Sequence, residues 1–306
     1  MWPTRQAQHA AIAAQLAAHA INTQPLPGIA NPVARDVLGW QIVASLRRED
    51  YYRLIRQMPI TAARADPNNQ SFDAERAVAY HTQNGDFEEA AWLIFLMTHF
   101  ARPEETRWLR LRQVYGRLGM GTWDYATVSA SPDAFVNWLS ANWMNVGGKF
   151  GNHRKYETLD PNSHRYTGRV IRSYLDWIGP AGQQAKFAAV VHAAGNDPHV
   201  IFDAFYNETS AVFTFGRLAK FDFLSMLGRY DLAPLEAGSA YLKGATGPLK
   251  GARLLFDGNR DGPSTPQQLQ DRLNKLDADL HVGMAVLEDA LCNWQKSPTH
   301  FQHFKG

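Results

Sequence analysis

"FEEAAWLIFLMTHF", residues 87–100, follows the turn "QNGD" and runs fourteen residues without the polar and apolar alternation of a half-buried strand. A run this long and this apolar predicts a helix buried on every side, the core element of its domain. The same kind of reading extends in both directions. Upstream, a helix starts at about Asp73, "VARDVLGWQIVASLRREDYYRLIRQ" carries Leu38, Ile42, Leu46 and Tyr51 at roughly helical spacing, "NTQPLPGIANP" is a loop, and the first 21 residues form an Ala-rich helix. Downstream, helical patterns cover 107–118, 132–143, 167–177, 183–194, 198–206 and 211–227. Near the end, Leu280, Met284, Leu287, Leu291 and Trp294 make an apolar seam. Strand-like alternation is nearly absent, so the expected fold is all-α, a multi-helical globular protein of around a dozen helices. Residues 1–60 read as an N-terminal helical appendage and 61–306 as the main domain. The loop "FDGNRDGPSTPQQ" suits an insertion better than a boundary.

The composition narrows the functional classes. With 306 residues and 45% hydrophobic content the chain can bury a sizeable core, and its net charge of +2 excludes a histone-like basic binder. Contact with phosphates must then come from local clusters of Lys and Arg. A single cysteine, Cys292, excludes an internal disulfide framework and a cysteine zinc site. That usage, with no apolar run long enough to cross a membrane, predicts a soluble cytoplasmic protein.

Three stretches could carry chemistry. In "GGKFGNHRKYETLDPNSHRY", residues 147–166, the cations Lys149, Arg154, Lys155 and Arg165 alternate with Phe150, Tyr156 and Tyr166 around three glycines. Cations neutralise phosphate, glycines let backbone amides approach it, and rings stack on bases, which together make a nucleotide-binding chemistry. Asn152 and His153 would orient such a ligand. A solvated basic turn explains the same composition equally well. In "FGRLAKFDFLSMLG", Arg217 and Lys220 lie three apart on one helix, able to share one anion, with Asp222 able to orient either cation. The plainer alternative is a surface helix with a few charges. "YLKGATGPLKGARLLF" is a Gly-rich turn opening into a helix, where Gly244 and Gly247 would expose amides to a phosphate with Lys250 and Arg253 in reach. It lacks the Gly-Lys-Ser/Thr ending of a P-loop, and a tight turn accounts for it as well. Asp279 stands where the last helix is expected to start, as either a catalytic carboxylate or a plain N-cap. His281, Glu288 and Cys292 are expected on one stripe of that helix, with His281 and Glu288 a candidate acid/base pair.

Taken together, "FGNHRKYE", "FGRLAKFDFLSMLG", "KGATGPLKGARLLF" and "VGMAVLEDALCNWQKSP" resemble the alpha-glutamyl/putrescinyl thymine pyrophosphorylase family, clade three, over roughly residues 87–306. The hairpin-like turn and the Asp-x-His-Val order are distantly similar to helix-hairpin-helix DNA glycosylases, although Gly244 and Gly247 are three apart where that motif has two. The resemblance implies a DNA partner and a thymine-derived base carrying a 5-pyrophosphoryloxymethyl group. A small amine, an amino acid or putrescine, would replace pyrophosphate at the exocyclic carbon. Under this reading Tyr156 or Phe150 stacks the base, and Arg154, Lys155, Arg217, Lys220, Lys250 and Arg253 balance the leaving group. Asp279, His281 or Glu288 accepts the proton. No cofactor is required, though Mg²⁺ could assist. Two alternatives stay open at this point: a glycosylase or lyase using Asp279 and a lysine such as Lys250, and a DNA-binding protein without chemistry.

Overall fold

The structure, a computed structural model, describes residues 1–304. It is all-α, with fourteen α-helices and no strand among the described residues. The chain divides into two compact units, and the division differs from the expected break at residue 60. Residues 1–51 form one unit with residues 237–304, and Tyr52–Glu236 forms the other.

In the first unit, α1 (Gln6–Asn22) and α2 (Pro32–Gln57, whose last residues lead out of this unit) open the chain. The second unit contains α3 (Ala74–Gln83), α4 (Phe87–Phe100), α5 (Leu109–Tyr115), α6 (Tyr125–Ala130) and α7 (Pro132–Asn142), then α8 (Thr167–Ile178), α9 (Gln183–Ala194), α10 (Pro198–Glu208) and α11 (Arg217–Arg229). The chain then returns to the first unit with α12 (Gly247–Asp257), α13 (Pro266–Leu280) and α14 (Met284–Trp294).

Helix α4 organises the second unit. Asp86 caps it by accepting from the Glu89 amide, and every residue from Glu89 to Phe100 is buried. Around it pack α3, α5, α6, α9 and α11. Phe95 stacks on Tyr174 of α8 at 3.8 Å between ring centroids, and the Trp92 indole donates to the Trp123 carbonyl at 2.9 Å. Glu88 leaves the same helix to accept from the amides of Gln183 and Gln184 at 2.9 and 3.0 Å, so its carboxylate caps α9.

Two expected helices start or stop elsewhere. Helix α11 begins at Arg217, not Ala211, because Thr214 takes φ +62 in a turn that bonds Phe215 back to Val212. Helix α5 is confined to 109–115, since Arg107, Arg117 and Leu118 all have positive φ and end the helical path on either side.

In the first unit, α12 crosses α14 closely. A Cβ at Gly247 would lie 2.5 Å from Cys292 Sγ, and one at Gly251 would lie 2.3 Å from the Leu291 carbonyl oxygen. These two glycines, four apart on one helix face, let the backbones approach. Helix α13 carries a capping box between Thr265 and Gln268, and packs against α1.

Candidate functional site

The residues expected from the sequence fall on both units, and each set is described within its own.

In the second unit, the 147–166 segment is irregular except for a 3-10 turn over Asn152–Arg154 and a lone bridge between Thr158 and Tyr166. Its cations have separate roles. Arg154 is 6% exposed and points inward: its Nη1 donates to the Thr214 carbonyl at 2.9 Å, and its Nη2 donates to Thr214 Oγ1 at 2.8 Å and to His99 Nδ1 at 3.4 Å. Glu157, also buried, lies 3.6 Å from Arg154, accepts from Thr214 Oγ1 and pairs with Arg165. His99 is fully buried, and burial, with Arg154 and Arg165 nearby, holds its pKa well below the ordinary histidine value. Neutral His99 donates through Nε2 to Thr167 Oγ1. Arg154 is therefore an internal strut tying the basic segment to the turn before α11, and is not exposed to an external phosphate. Phe150 is also in use, stacked on Phe100 and covered by the Arg110 guanidinium. Lys155 and Tyr156 are the exposed pair, with Tyr156 at 71% exposure and the Lys155 ammonium 5.0 Å from its ring centroid. Asn152 and His153 are exposed as well.

Arg217 and Lys220 do share one side of α11. Lys220 Nζ lies 3.9 Å from the Tyr206 ring centroid and donates to Ser210, and Arg217 acts on the Tyr206 hydroxyl electrostatically. Asp222, at roughly 140° from Arg217 around the helix, instead meets His153 Nδ1 at 3.3 Å. Asp222 thus faces the 152–155 segment while the two cations face α10, so Asp222 does not orient either of them. The 100° advance per residue separates them.

In the first unit, Asp279 lies in the last turn of α13 and does not start or cap α14, whose N-cap is Gly283. Its carboxylate accepts from His19 Nδ1 at 2.5 Å and from Thr23 at 2.8 Å. Those bonds hold its pKa below the ordinary aspartate value. Asp277 serves the α13–α14 corner instead, accepting from the amides of Val282 and Gly283. His281 is the C-cap of α13 at φ +51, so it lies outside α14 and off the expected stripe with Glu288 and Cys292. Glu288 is buried within α14. Gly244, at φ +77, is in open space, whereas Gly247 is spent on the crossing with α14. Lys250 is exposed in the first turn of α12, and Arg253 donates to the Ser264 carbonyl of the following loop.

Sequence reasoning passed over a cavity of about 780 Å³ in the second unit. Its wall carries Asp66, Asp86, Glu88, Glu89 and Asp124, with His81, Tyr80, Tyr115 and Tyr125. Glu89 is 6% exposed; Tyr115 donates its hydroxyl to Oε1 at 2.5 Å and the Tyr125 amide donates to Oε2 at 2.8 Å. Burial pushes the Glu89 carboxyl up to about 7, against the opposing pull of those two hydrogen bonds, with Asp124 and Asp86 adding to the rise. Burial also raises Tyr125 to about 12 and Tyr115 far above its ordinary value. His81 pairs with Asp86 at 3.0 Å but is shifted below the ordinary histidine value, burial being the main cause. A signal for Glu89 exists in the sequence, since a helix apolar all round turns part of its acidic first turn, Glu88 and Glu89, against the core. The cavity itself is made by segments 62–67, 80–89, 115 and 122–129, which no local pattern joins. Among the described residues no group of three or more His, Cys, Asp or Glu side chains is arranged to hold a metal ion, and no helix is long and apolar enough to cross a membrane.

A family model described as alpha-glutamyl/putrescinyl thymine pyrophosphorylase clade 3 matches residues 33–306. No curated protein and no solved structure shows significant similarity to the chain.

Proposed function

Because the chain belongs to the alpha-glutamyl/putrescinyl thymine pyrophosphorylase family, clade 3, a DNA hypermodification family, we propose that it replaces the pyrophosphate of a 5-pyrophosphoryloxymethyl-uracil base in DNA with an amine, using the Glu89 cavity. The observation that carries this reading is a carboxyl group with a pKa near 7 on the wall of an acidic cavity. An amine arrives as an ammonium ion and must lose a proton before it can attack. A base is most effective when its pKa lies near the working pH, which is where Glu89 has been moved.

The step balances as follows. The ammonium gives one proton to the Glu89 carboxylate and becomes a neutral amine. The amine lone pair then forms a C–N bond to the exocyclic methylene carbon, and the C–O bond breaks with its electron pair leaving on pyrophosphate. The product is a secondary ammonium on the thymine methylene group. Within the same unit, Lys155, Arg217 and Lys220 are our candidates for balancing charge on the departing pyrophosphate, and Mg²⁺ would serve the same end. The base must leave the duplex stack at a cost of a few kcal/mol. The exposed Tyr156 ring offers it a stacking surface.

Among the proton acceptors, electrostatics favour Glu89 over Asp279. A carboxylate already held by His19 and Thr23 and pulled below its ordinary pKa has little affinity for a further proton. The test is to incubate the protein with DNA containing the pyrophosphorylated base and a pool of amines, then weigh the released nucleosides. An amine-bearing thymidine supports the reading. Abasic DNA, or DNA returned unchanged under all conditions, overturns it.

A further inference from the structure

The loop "GRLGMG", residues 116–121, leaves the end of α5 beside the Glu89 cavity, within the second unit. The residues on either side of it, Tyr115 and Thr122, both line that cavity. The Trp123 amide closes the loop's base by donating to the Tyr115 carbonyl at 2.7 Å, and Asn68, next to Pro67 of the cavity wall, donates its side-chain amide to the Gly121 carbonyl at 3.0 Å. Inside the loop, the Gly119 amide bonds back to the Gly116 carbonyl at 2.8 Å and the Met120 amide to the Arg117 carbonyl at 3.1 Å. Arg117 folds across it, with its guanidinium carbon 4.4 Å from the Trp123 ring centroid, and a Cβ on Gly121 would touch its Cδ at 3.6 Å. Arg117, Leu118 and Gly119 have φ of +48, +56 and +92. Successive left-handed residues, two of them with side chains, persist only where the surroundings over-determine the path. The loop is thus held in one shape, and at its tip stands Met120, 81% exposed. Glycines flank it, and a Cβ on Gly119 would meet nothing within 4 Å, so the tip is one side chain wide. A tip that served only to turn the chain would favour Asn, Asp or Ser.

Resting on the base-modification reading above, we infer that Met120 is a wedge that enters the base stack of duplex DNA where the thymine-derived base turns out toward the Glu89 cavity. A wedge must be thin, firmly mounted, apolar and next to the pocket that receives the base. Stacked bases lie about 3.4 Å apart, and an unbranched side chain between two glycines enters a partly opened step more readily than a crowded tip would. The thioether is polarisable and makes favourable contact with aromatic faces, which every base presents. Filling the vacated gap recovers part of the stacking lost on extrusion and blocks the return of the base. Arg112, whose carbonyl accepts from the Gly116 amide at the foot of the loop, carries a half-buried guanidinium for a phosphate flanking the step.

The experiment uses the full-length protein and a duplex carrying one 5-pyrophosphoryloxymethyl-uracil beside 2-aminopurine, a base that fluoresces when it is unstacked. Wild type is expected to raise the fluorescence severalfold on binding. Met120→Ala, an exposed change that leaves the packing alone, should leave it near that of the free duplex, and Met120→Leu, which keeps an apolar wedge, should restore most of the rise. Formation of amine-bearing thymidine by Met120→Ala should fall about tenfold on duplex DNA and stay unchanged on single strands, where no duplex stack opposes extrusion. The inference is overturned if wild type leaves 2-aminopurine quenched, or if Met120→Ala raises the fluorescence as wild type does, the result expected of a methionine that docks a protein partner instead. Equal losses on duplex and single strands, the mark of a merely structural role, overturn it too. The two readings fail separately. A Met120-dependent rise without any adduct leaves the wedge standing and removes the transfer reaction; equal adduct formation on duplex DNA by wild type and Met120→Ala does the reverse.

Discussion

The Tyr115 hydroxyl donates to Glu89 Oε1 across 2.5 Å, joining the end of α5 to the first turn of α4 at the wall of the cavity. This bond stabilises the ionised carboxylate and restrains a rise that burial alone would carry further. Tyr115→Phe removes the donor and leaves the burial. The Glu89 carboxyl is expected to titrate at higher pH, and the rising limb of the activity profile should move to higher pH with it. A pH–rate profile of the variant checks this. An unmoved limb would mean that Glu89 is not the titrating base.

The same carboxyl makes stability depend on pH. Its folded-state pKa is raised from 4.5 to about 7, so the protonated form favours the folded state. That contribution is fully present below about pH 4.5 and is lost as pH rises through 7, amounting to on the order of 3 kcal/mol. Glu89→Gln cannot ionise. Urea unfolding at pH 5 and pH 8 should therefore show wild type losing more stability than the variant over that interval. Asp66, Asp86, Glu88, Asp124 and His81 line the same cavity in both proteins, so the difference isolates Glu89.

Arg154 and Lys155 are neighbours in sequence with opposite duties. Removing the guanidinium with Arg154→Met leaves buried Glu157 and the Thr214 carbonyl short of a donor, at a cost of about 3 kcal/mol or more. Lys155→Ala, at the surface, should change stability by about 0.5 kcal/mol or less. It should also weaken DNA binding and reduce its salt dependence. Thermal unfolding together with binding at two salt concentrations separates the two roles.

Gly251 marks a contact that only a missing side chain allows. Gly251→Ala would put a Cβ 2.3 Å from the Leu291 carbonyl oxygen, and forcing α12 away from α14 should cost about 1–3 kcal/mol. Chemical denaturation measures it.

Much of the helical framework was legible in the sequence. Helices α4 and α9 start and end where their patterns do, because Asp86, Gly182 and Gly195 mark their ends and the apolar run between 87 and 100 has no other stable form. The start of α11 was not legible, since a left-handed threonine at 214 is not written in any periodicity. Asp279 was misplaced for a related reason. A run of helix formers carried α13 on to Leu280, and the stop came at His281, a non-glycine residue in the left-handed region. The glycines of "GATGPLKG" suit a phosphate turn and a helix crossing alike, and only the position of α14 separates the two. Glu89 stood in the decisive stretch all along. What makes it a candidate base is the wall around it, drawn from four distant segments by the packing of α3, α5 and α6 on α4.

The most direct measurement is the stoichiometry of the reaction on DNA carrying 5-pyrophosphoryloxymethyl-uracil, with putrescine supplied and pyrophosphate and modified nucleoside both quantified. Wild type should release one pyrophosphate for each amine-bearing thymidine formed, Asp279→Asn should do the same, and a folded Glu89→Gln should do so about a hundredfold more slowly or worse. Undiminished turnover in Glu89→Gln, or a loss confined to Asp279→Asn, would contradict the assignment of the chemistry to the Glu89 cavity.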